Sequence, residues 1–148
     1  MTHTPELRDF VAAWESLRTT AYRDAVGVWT VGYGRTTNVH EGDTCTPEEA
    51  EEWLDEELTE FGEGLDVFFT REPDQQQFDA LLSLAYNCGV DAIGNSGLMA
   101  RFNDGQDAEV LKRFPLWSRA GGRTLNGLVK RRNAEAAIYR DGDYSGRP

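Results

Sequence analysis

A chain of 148 residues with 15 Lys plus Arg against 26 Asp plus Glu has room for one cooperative domain or two small lobes sharing an element, and its formal charge of −11 counts against a nucleic-acid binder. Apolar residues make up 39%, with four Trp, five Tyr and seven Phe, enough for a packed core and unlike a disordered chain. The first twenty positions hold Glu6, Arg8, Asp9, Glu15 and Arg18, and no long apolar run follows, so neither a membrane span nor a secretory signal is expected.

Thr4 and Pro5 read as an N-cap and a first-turn proline, and Leu7, Phe10, Val11, Trp14 and Leu17 follow at helical spacing, predicting a helix over about residues 5–18. Glu15 falls near its C-terminal end, where the helix dipole disfavours an anion. From Tyr22 to Thr37 the helical period gives way to β-branched and aromatic residues punctuated by Gly27, Gly32 and Gly34, which predicts a short twisted hairpin or small sheet. Residues 38–44 are polar and turn-like. Thr46, Pro47 and Glu49 then supply an N-cap, an N1 proline and a capping-box glutamate, and the stripe Ala50, Trp53, Leu54, Leu58, Phe61, Leu65 predicts a helix over 47–65. Between Glu48 and Glu63 that helix carries nine acidic and no basic residues, a pattern read as a solvated face.

Pro73 and Asp74 open a further helix that buries Phe78, Leu81, Leu82, Ala85 and Tyr86 and ends near Cys88 and Gly89. Short helices are expected at 96–103 and 106–114. Gly121 and Gly122 mark a break before a final helix over 124–140, and the tail from Gly142 is turn-rich and expected to be loosely attached. The charge is lopsided: residues 1–74 hold 18 acidic side chains against 5 Arg, whereas residues 75–148 hold 8 against 10, so an anionic polymer should meet the second half more easily. Cys45 and Cys88 form no CxxC motif and are expected to be free thiols, with Cys88 the more buried. His3 and His40 are isolated, and no metal site is expected.

The residues with chemical promise are Glu15, Asp24 and Thr30. A helix end carrying one carboxylate beside a hairpin carrying another can place them on opposite walls of a cleft, an arrangement suited to breaking a glycosidic bond. Spacing permits this without requiring it, and Thr30 reads equally well as a strand former within Val28–Val31.

Residues 14–36, WESLRTTAYRDAVGVWTVGYGRT, resemble the active-site segment of the phage-type lysozymes, the T4-type endolysins of glycoside hydrolase family 24, in which Glu, eight residues, Asp, five residues and Thr recur. TPEEAEEWLDEEL at 46–58 resembles the start of that family's lobe-joining helix, and ALLSLAYNCG at 80–89 its central buried helix. LWSRAGGRTLNGLVKRRNAEAAIY at 116–139 resembles the C-terminal signature of the lambdoid-phage branch. The likeness covers about residues 6–140. It implies an α+β, mainly helical, lysozyme-like fold within a single domain over 1–148. A small α/β lobe (15–50) and a larger helical lobe (66–141, with 1–14 packed near it) would be joined by the 47–65 helix, with the cleft between them.

The resemblance further implies a muramidase that hydrolyses the β-1,4 bonds of peptidoglycan with inversion, Glu15 being the general acid and Asp24 with Thr30 directing water. Inversion calls for carboxyl groups about 6.5–9.5 Å apart. Tyr33 is expected to close the hairpin behind the catalytic groups, and Arg35 stands where many relatives carry His, close enough in the family to pair with Glu15. Ser16 replaces a glycine common in relatives. Tyr33, Arg35, Asn87, Asn95, Arg119, Arg123 and Asn126 are the candidate substrate-binding residues, the arginines suiting peptide-stem carboxylates. Of Lys130, Arg131 and Arg132, at least one is suited to an intramolecular salt bridge.

No cofactor is implied. The partners implied are peptidoglycan and a separate holin-like membrane protein that releases a monomeric enzyme from the host cytoplasm to the wall. Two alternatives stand beside this reading: lytic transglycosylation in the same fold, which needs the acid but no water-directing carboxylate, and a noncatalytic wall-binding or phage structural domain.

Overall fold

The structure is a computed structural model and describes residues 1–148. Its first helix, α1 (Pro5–Glu15), is capped by the Thr4 hydroxyl, which accepts from Leu7 N–H at 3.1 Å, and buries Leu7, Phe10 and Val11. It stops three residues short of the predicted end. Ser16 swings to φ 63°, ψ 136° and its N–H closes on Ala12 O, a backbone turn from which a helix cannot continue. Strand β1 (Arg18–Arg23) therefore starts earlier than the composition suggested. It pairs antiparallel with β2 (Trp29–Gly32), Tyr22 opposite Thr30 and Arg23 opposite Trp29, with an irregularity between Arg18 and Tyr22. Bridges Thr20–Thr44 and Val31–Arg35 tie the following segment to this hairpin.

Helix α2 (Pro47–Asp66) begins with the expected capping box, Thr46 and Glu49 satisfying each other's backbone N–H groups at 3.1 Å. The hairpin rests directly on it: Gly32 has φ 71°, and a Cβ there would lie 3.3 Å from Ala50 Cβ, so both conformation and space call for glycine. Helix α3 (Gln75–Cys88) opens with a second capping box, Asp74 with Gln77. The short helices α4 (Val90–Gly94), α5 (Gly97–Asn103) and α6 (Asp107–Arg113) follow, then a 3-10 turn at Phe114–Trp117. At five residues, α4 is too short to show a hydrophobic period, and the sequence did not reveal it.

The predicted break at Gly121 and Gly122 is a miniature hairpin, β3 (Arg119–Ala120) against β4 (Arg123–Thr124). Both glycines are at positive φ, as a two-residue turn of the primed type requires. Helix α7 (Asn126–Asp141) closes the fold.

Two hydrophobic clusters organise these elements. The larger joins α1, α2, α3, α5 and α7 through residues such as Leu7, Phe10, Leu58, Phe78, Leu82, Phe102 and Ile138. The smaller consists of Val31, Cys45 and Ala50 beneath the hairpin. Helix α2 feeds both, Ala50 entering the small cluster and Leu54, Leu58 and Leu65 the large one. The architecture is α+β, a small sheet beside a larger helical body. No helix is long and apolar enough to cross a membrane.

Two expectations need correction. The tail is docked, because the Tyr144 hydroxyl donates to buried Asp79 at 2.7 Å, where the Thr4 hydroxyl also donates at 2.6 Å, and Gly146 sits against Ala134. Of the two free cysteines, Cys45 is the buried one, since it belongs to the hairpin cluster, whereas Cys88 at the end of α3 is partly open.

Candidate active site

Glu15 ends α1 at the edge of a cleft of about 380 Å³, shared with Tyr33, Gly34, Thr36 and Thr37 after the hairpin, Glu57, Glu60 and Phe61 of α2, and Tyr86 and Asn87 of α3. The cleft thus lies between the hairpin segment and the helical body, with α2 as one wall. The Glu15 side chain is 24% exposed, and its Oε1 accepts from Arg131 Nη1 at 2.8 Å. Arg131 takes the place that the sequence reading offered to Arg35. Arg35 instead stacks over the Trp53 ring at 4.7 Å and approaches Glu56 at 3.9 Å, facing a neighbouring depression. Arg131 reaches Glu15 from α7, while the Arg35 backbone is bridged to Val31 and its side chain is occupied by the Trp53 ring.

The second carboxylate in the cleft with a fixed partner is Glu57, whose Oε2 accepts from the Tyr86 hydroxyl at 2.9 Å. Burial pushes the Glu57 carboxyl above its ordinary range; the Tyr86 hydrogen bond and the charge of Arg35 oppose this, while Glu60 and Glu15 add to it. Burial also pushes the Tyr86 phenol up, with the Glu57 charge and hydrogen bond adding to the effect. Phe61, one turn after Glu57, packs on the Tyr86 ring at 5.0 Å. Sequence reasoning assigned Glu57 to the solvated acidic face and missed it. Its only local sign was a position on the same helical face as Phe61.

Asp24 and Thr30 sit on the hairpin. Asp24 Oδ1 accepts from Val26 N–H and Val28 N–H, both at 2.9 Å, so the carboxylate organises the turn that joins β1 to β2. Thr30 is 4% exposed and its hydroxyl donates to Val28 O at 3.0 Å. Neither lines the cleft that holds Glu15.

Of the candidate binding residues, Tyr33 and Asn87 line the cleft. Arg119 lines an adjoining, more apolar depression of about 530 Å³ with Asn87, Cys88, Leu116, Trp117, Leu125 and Leu128. Arg119 also donates to Gly122 O at 2.7 Å across its hairpin. Arg123 and Asn126 are exposed beside it, and Asn95 closes α4 by donating to Asp91 O. These last three are not brought to the cleft lining.

Beside the cleft lies a buried ionic cluster in which Arg131 and Arg132 both form the intramolecular salt bridges expected of at least one residue of the basic run, with a partner, Glu135, that the sequence did not single out. Arg131 and Arg132 flank Glu135, with Arg131 Nε 3.4 Å from Oε2 and Arg132 Nε 2.6 Å from Oε1. The Ser83 hydroxyl donates to Glu135 Oε2 at 2.6 Å. Arg132 also donates to Asn87 Oδ1 at 2.8 Å, to Cys88 Sγ at 2.9 Å and to Trp117 O at 3.2 Å. The Arg-Arg-x-x-Glu spacing, which puts three charges on one helical face, was the signal available.

A small sheet and a helical body meeting at a cleft, with a helix-end carboxylate in its wall, define a lysozyme-like protein. The phage lysozyme family model matches residues 12–135, and the chain belongs to that family. It is 38% identical over 133 residues to an endolysin of Acyrthosiphon pisum secondary endosymbiont phage 1, covering 87% of this chain and 91% of that one. It is 36% identical over 138 residues to an endolysin of Bacillus phage B103, covering 91% of this chain but 52% of that one, so it spans about half of that relative. The solved endolysin from Escherichia coli O157:H7 phage FAHEc1 superposes with a TM-score of 0.89 at 32% identity, covering 97% of this chain and 96% of that one.

Proposed function

We propose that the protein is an endolysin, a muramidase that hydrolyses the β-1,4 bonds between N-acetylmuramic acid and N-acetylglucosamine in peptidoglycan. The observation that carries this is Glu15 at the end of α1, partly shielded in the wall of the open cleft, in a chain of the phage lysozyme family. Glu15 protonates the leaving glycosidic oxygen. Asp24, its carboxylate oriented by two turn amides, directs the attacking water with Thr30, and the product leaves with inverted configuration. The Thr30 hydroxyl spends its proton on Val28 O, which leaves its oxygen able to accept a hydrogen bond from that water. Tyr33 and Asn87 contact the glycan, and the outlying arginines Arg119 and Arg123 meet peptide-stem carboxylates. The enzyme acts as a monomer at the wall, released from the host cytoplasm by a separate holin-like membrane protein.

The alternative is lytic transglycosylation in the same fold, where the C6 hydroxyl of the substrate attacks and no water-directing carboxylate is needed. Digestion of purified peptidoglycan in oxygen-18 water, with a Glu15→Gln control, separates the two. Labelled reducing-end muramic acid is expected, and anhydro-muramic ends without label would establish the transglycosylase.

A further inference from the structure

The cluster beside the cleft holds one acidic residue that touches neither solvent nor cleft and yet contacts both of the arginines that do reach functional groups. Glu135 is fully buried, and so is Arg132; the Arg131 side chain is 5% exposed. Helix α7 places Arg131 four residues and Arg132 three residues before Glu135, so all three share one face. That face meets Ser83 and Asn87 of α3, themselves one turn apart. From this shared centre two arms leave, Arg131 reaching Glu15 at 2.8 Å and Arg132 reaching the cleft amide Asn87 at 2.8 Å.

We propose that Glu135 is the positioning residue of the active site, holding Arg131 against Glu15 and Arg132 against Asn87, so that one interior carboxylate sets both the acid and a glycan-contacting amide. The catalytic part of this inference rests on the muramidase reading. A buried guanidinium without a counter-charge is costly, and long arginine side chains lose a fixed geometry when their anchor is removed. Glu135 supplies that anchor at both ends. It also divides the charge of Arg131 between two carboxylates, because Nη1 lies 2.8 Å from Glu15 and Nε 3.4 Å from Glu135. Ser83 completes the arrangement, since its hydroxyl fixes the Glu135 oxygen that both Arg131 and Arg132 approach. Burial pushes the Glu135 carboxyl up, opposed by Arg132, Arg131 and Ser83.

The charged and titratable groups around this centre are Glu15 on α1, Glu57 on α2, Tyr86 and Cys88 on α3, and Arg131 and Arg132 on α7. Replacing Glu135 by glutamine keeps the shape but removes the charge that anchors both guanidinium groups, so Arg131 is no longer held at Glu15 nor Arg132 at Asn87.

The test is nitrogen-15 NMR of the Arg131 and Arg132 Nε–H groups in the wild-type protein, Ser83→Ala and Glu135→Gln, with kcat and KM on solubilised peptidoglycan measured alongside. In Glu135→Gln both resonances are expected to move to the position of freely exchanging arginines, kcat should drop about tenfold or more, and KM should rise as Asn87 is released. Ser83→Ala should move the same resonances by less and melt within a few degrees of wild type. A folded Glu135→Gln with unmoved resonances or an unchanged kcat overturns the proposal. If Glu135→Gln does not fold, Ser83→Ala decides in the same way, moved resonances supporting the proposal and unmoved ones overturning it. A wild-type protein that releases no saccharide overturns the muramidase reading instead, and the arginine resonances still report on Glu135.

Discussion

Arg131 and Glu15 are 116 residues apart in the chain and 2.8 Å apart in the fold, so the C-terminal helix delivers the guanidinium that fixes the carboxylate ending the first helix. Removing one partner of a buried ion pair leaves the other uncompensated, a change that typically costs several kcal/mol. Arg131→Met should therefore lower stability by about 3 kcal/mol in urea unfolding, and Arg131→Lys by less. A loss under about 1 kcal/mol would mean that the contact behaves like an exposed pair.

Glu15→Gln keeps an oxygen acceptor for Arg131 Nη1 and so should fold and melt close to wild type while losing the transferable proton. Cleavage of purified peptidoglycan should fall about 10³-fold, within the usual range for loss of a general acid. Retained cleavage in a folded variant would remove Glu15 from the mechanism.

Asp24 carries two roles that substitutions can separate. Asp24→Asn retains an oxygen able to accept from Val26 N–H and Val28 N–H, whereas Asp24→Ala does not. Both should lose hydrolysis, but Asp24→Ala should also destabilise by about 1 kcal/mol. If Asp24→Asn hydrolyses normally, the residue serves only the turn.

Ser16 holds φ 63° and ψ 136°, a region that glycine enters freely and other residues enter at a cost. Ser16→Gly should raise stability by about 1 kcal/mol, after the extra unfolded-state entropy of glycine is allowed for, and Ser16→Val should lower it. Thermal denaturation of the two variants checks the sign.

Glu57 is held above the ordinary carboxylate range by burial. A raised carboxyl contributes stability that is fully present below its unfolded value and lost as pH rises through its folded value. Glu57→Gln should thus melt at the same temperature as wild type in acid and at a higher temperature at neutral pH. Equal melting across the whole range would show that solvent in the open cleft screens the effect.

Much of the fold was legible because its signals are local. Thr46, Pro47 and Glu49 announced α2 through side chains that bond backbone groups three residues away, and Thr4 with Pro5 announced α1 in the same manner. The end of α1 was misplaced because Leu17 keeps the apolar period while the chain has already turned at Ser16. The tail looked loose because nothing in its composition predicts that the Tyr144 hydroxyl meets Asp79, 65 residues away.

The sequence by itself determined the longer helices and the β1–β2 hairpin, since capping and periodicity act over a few residues, while the α+β class and the three candidate catalytic positions rested on the family resemblance. Tertiary structure alone decided that Arg131 and not Arg35 pairs with Glu15, that Tyr86 and burial single out Glu57 from an acidic face, and that Glu135 lies at the centre of an ionic cluster. Those relationships join residues tens of positions apart. The strength of each depends on exclusion of water, which exists only once α1, α2, α3 and α7 have packed together.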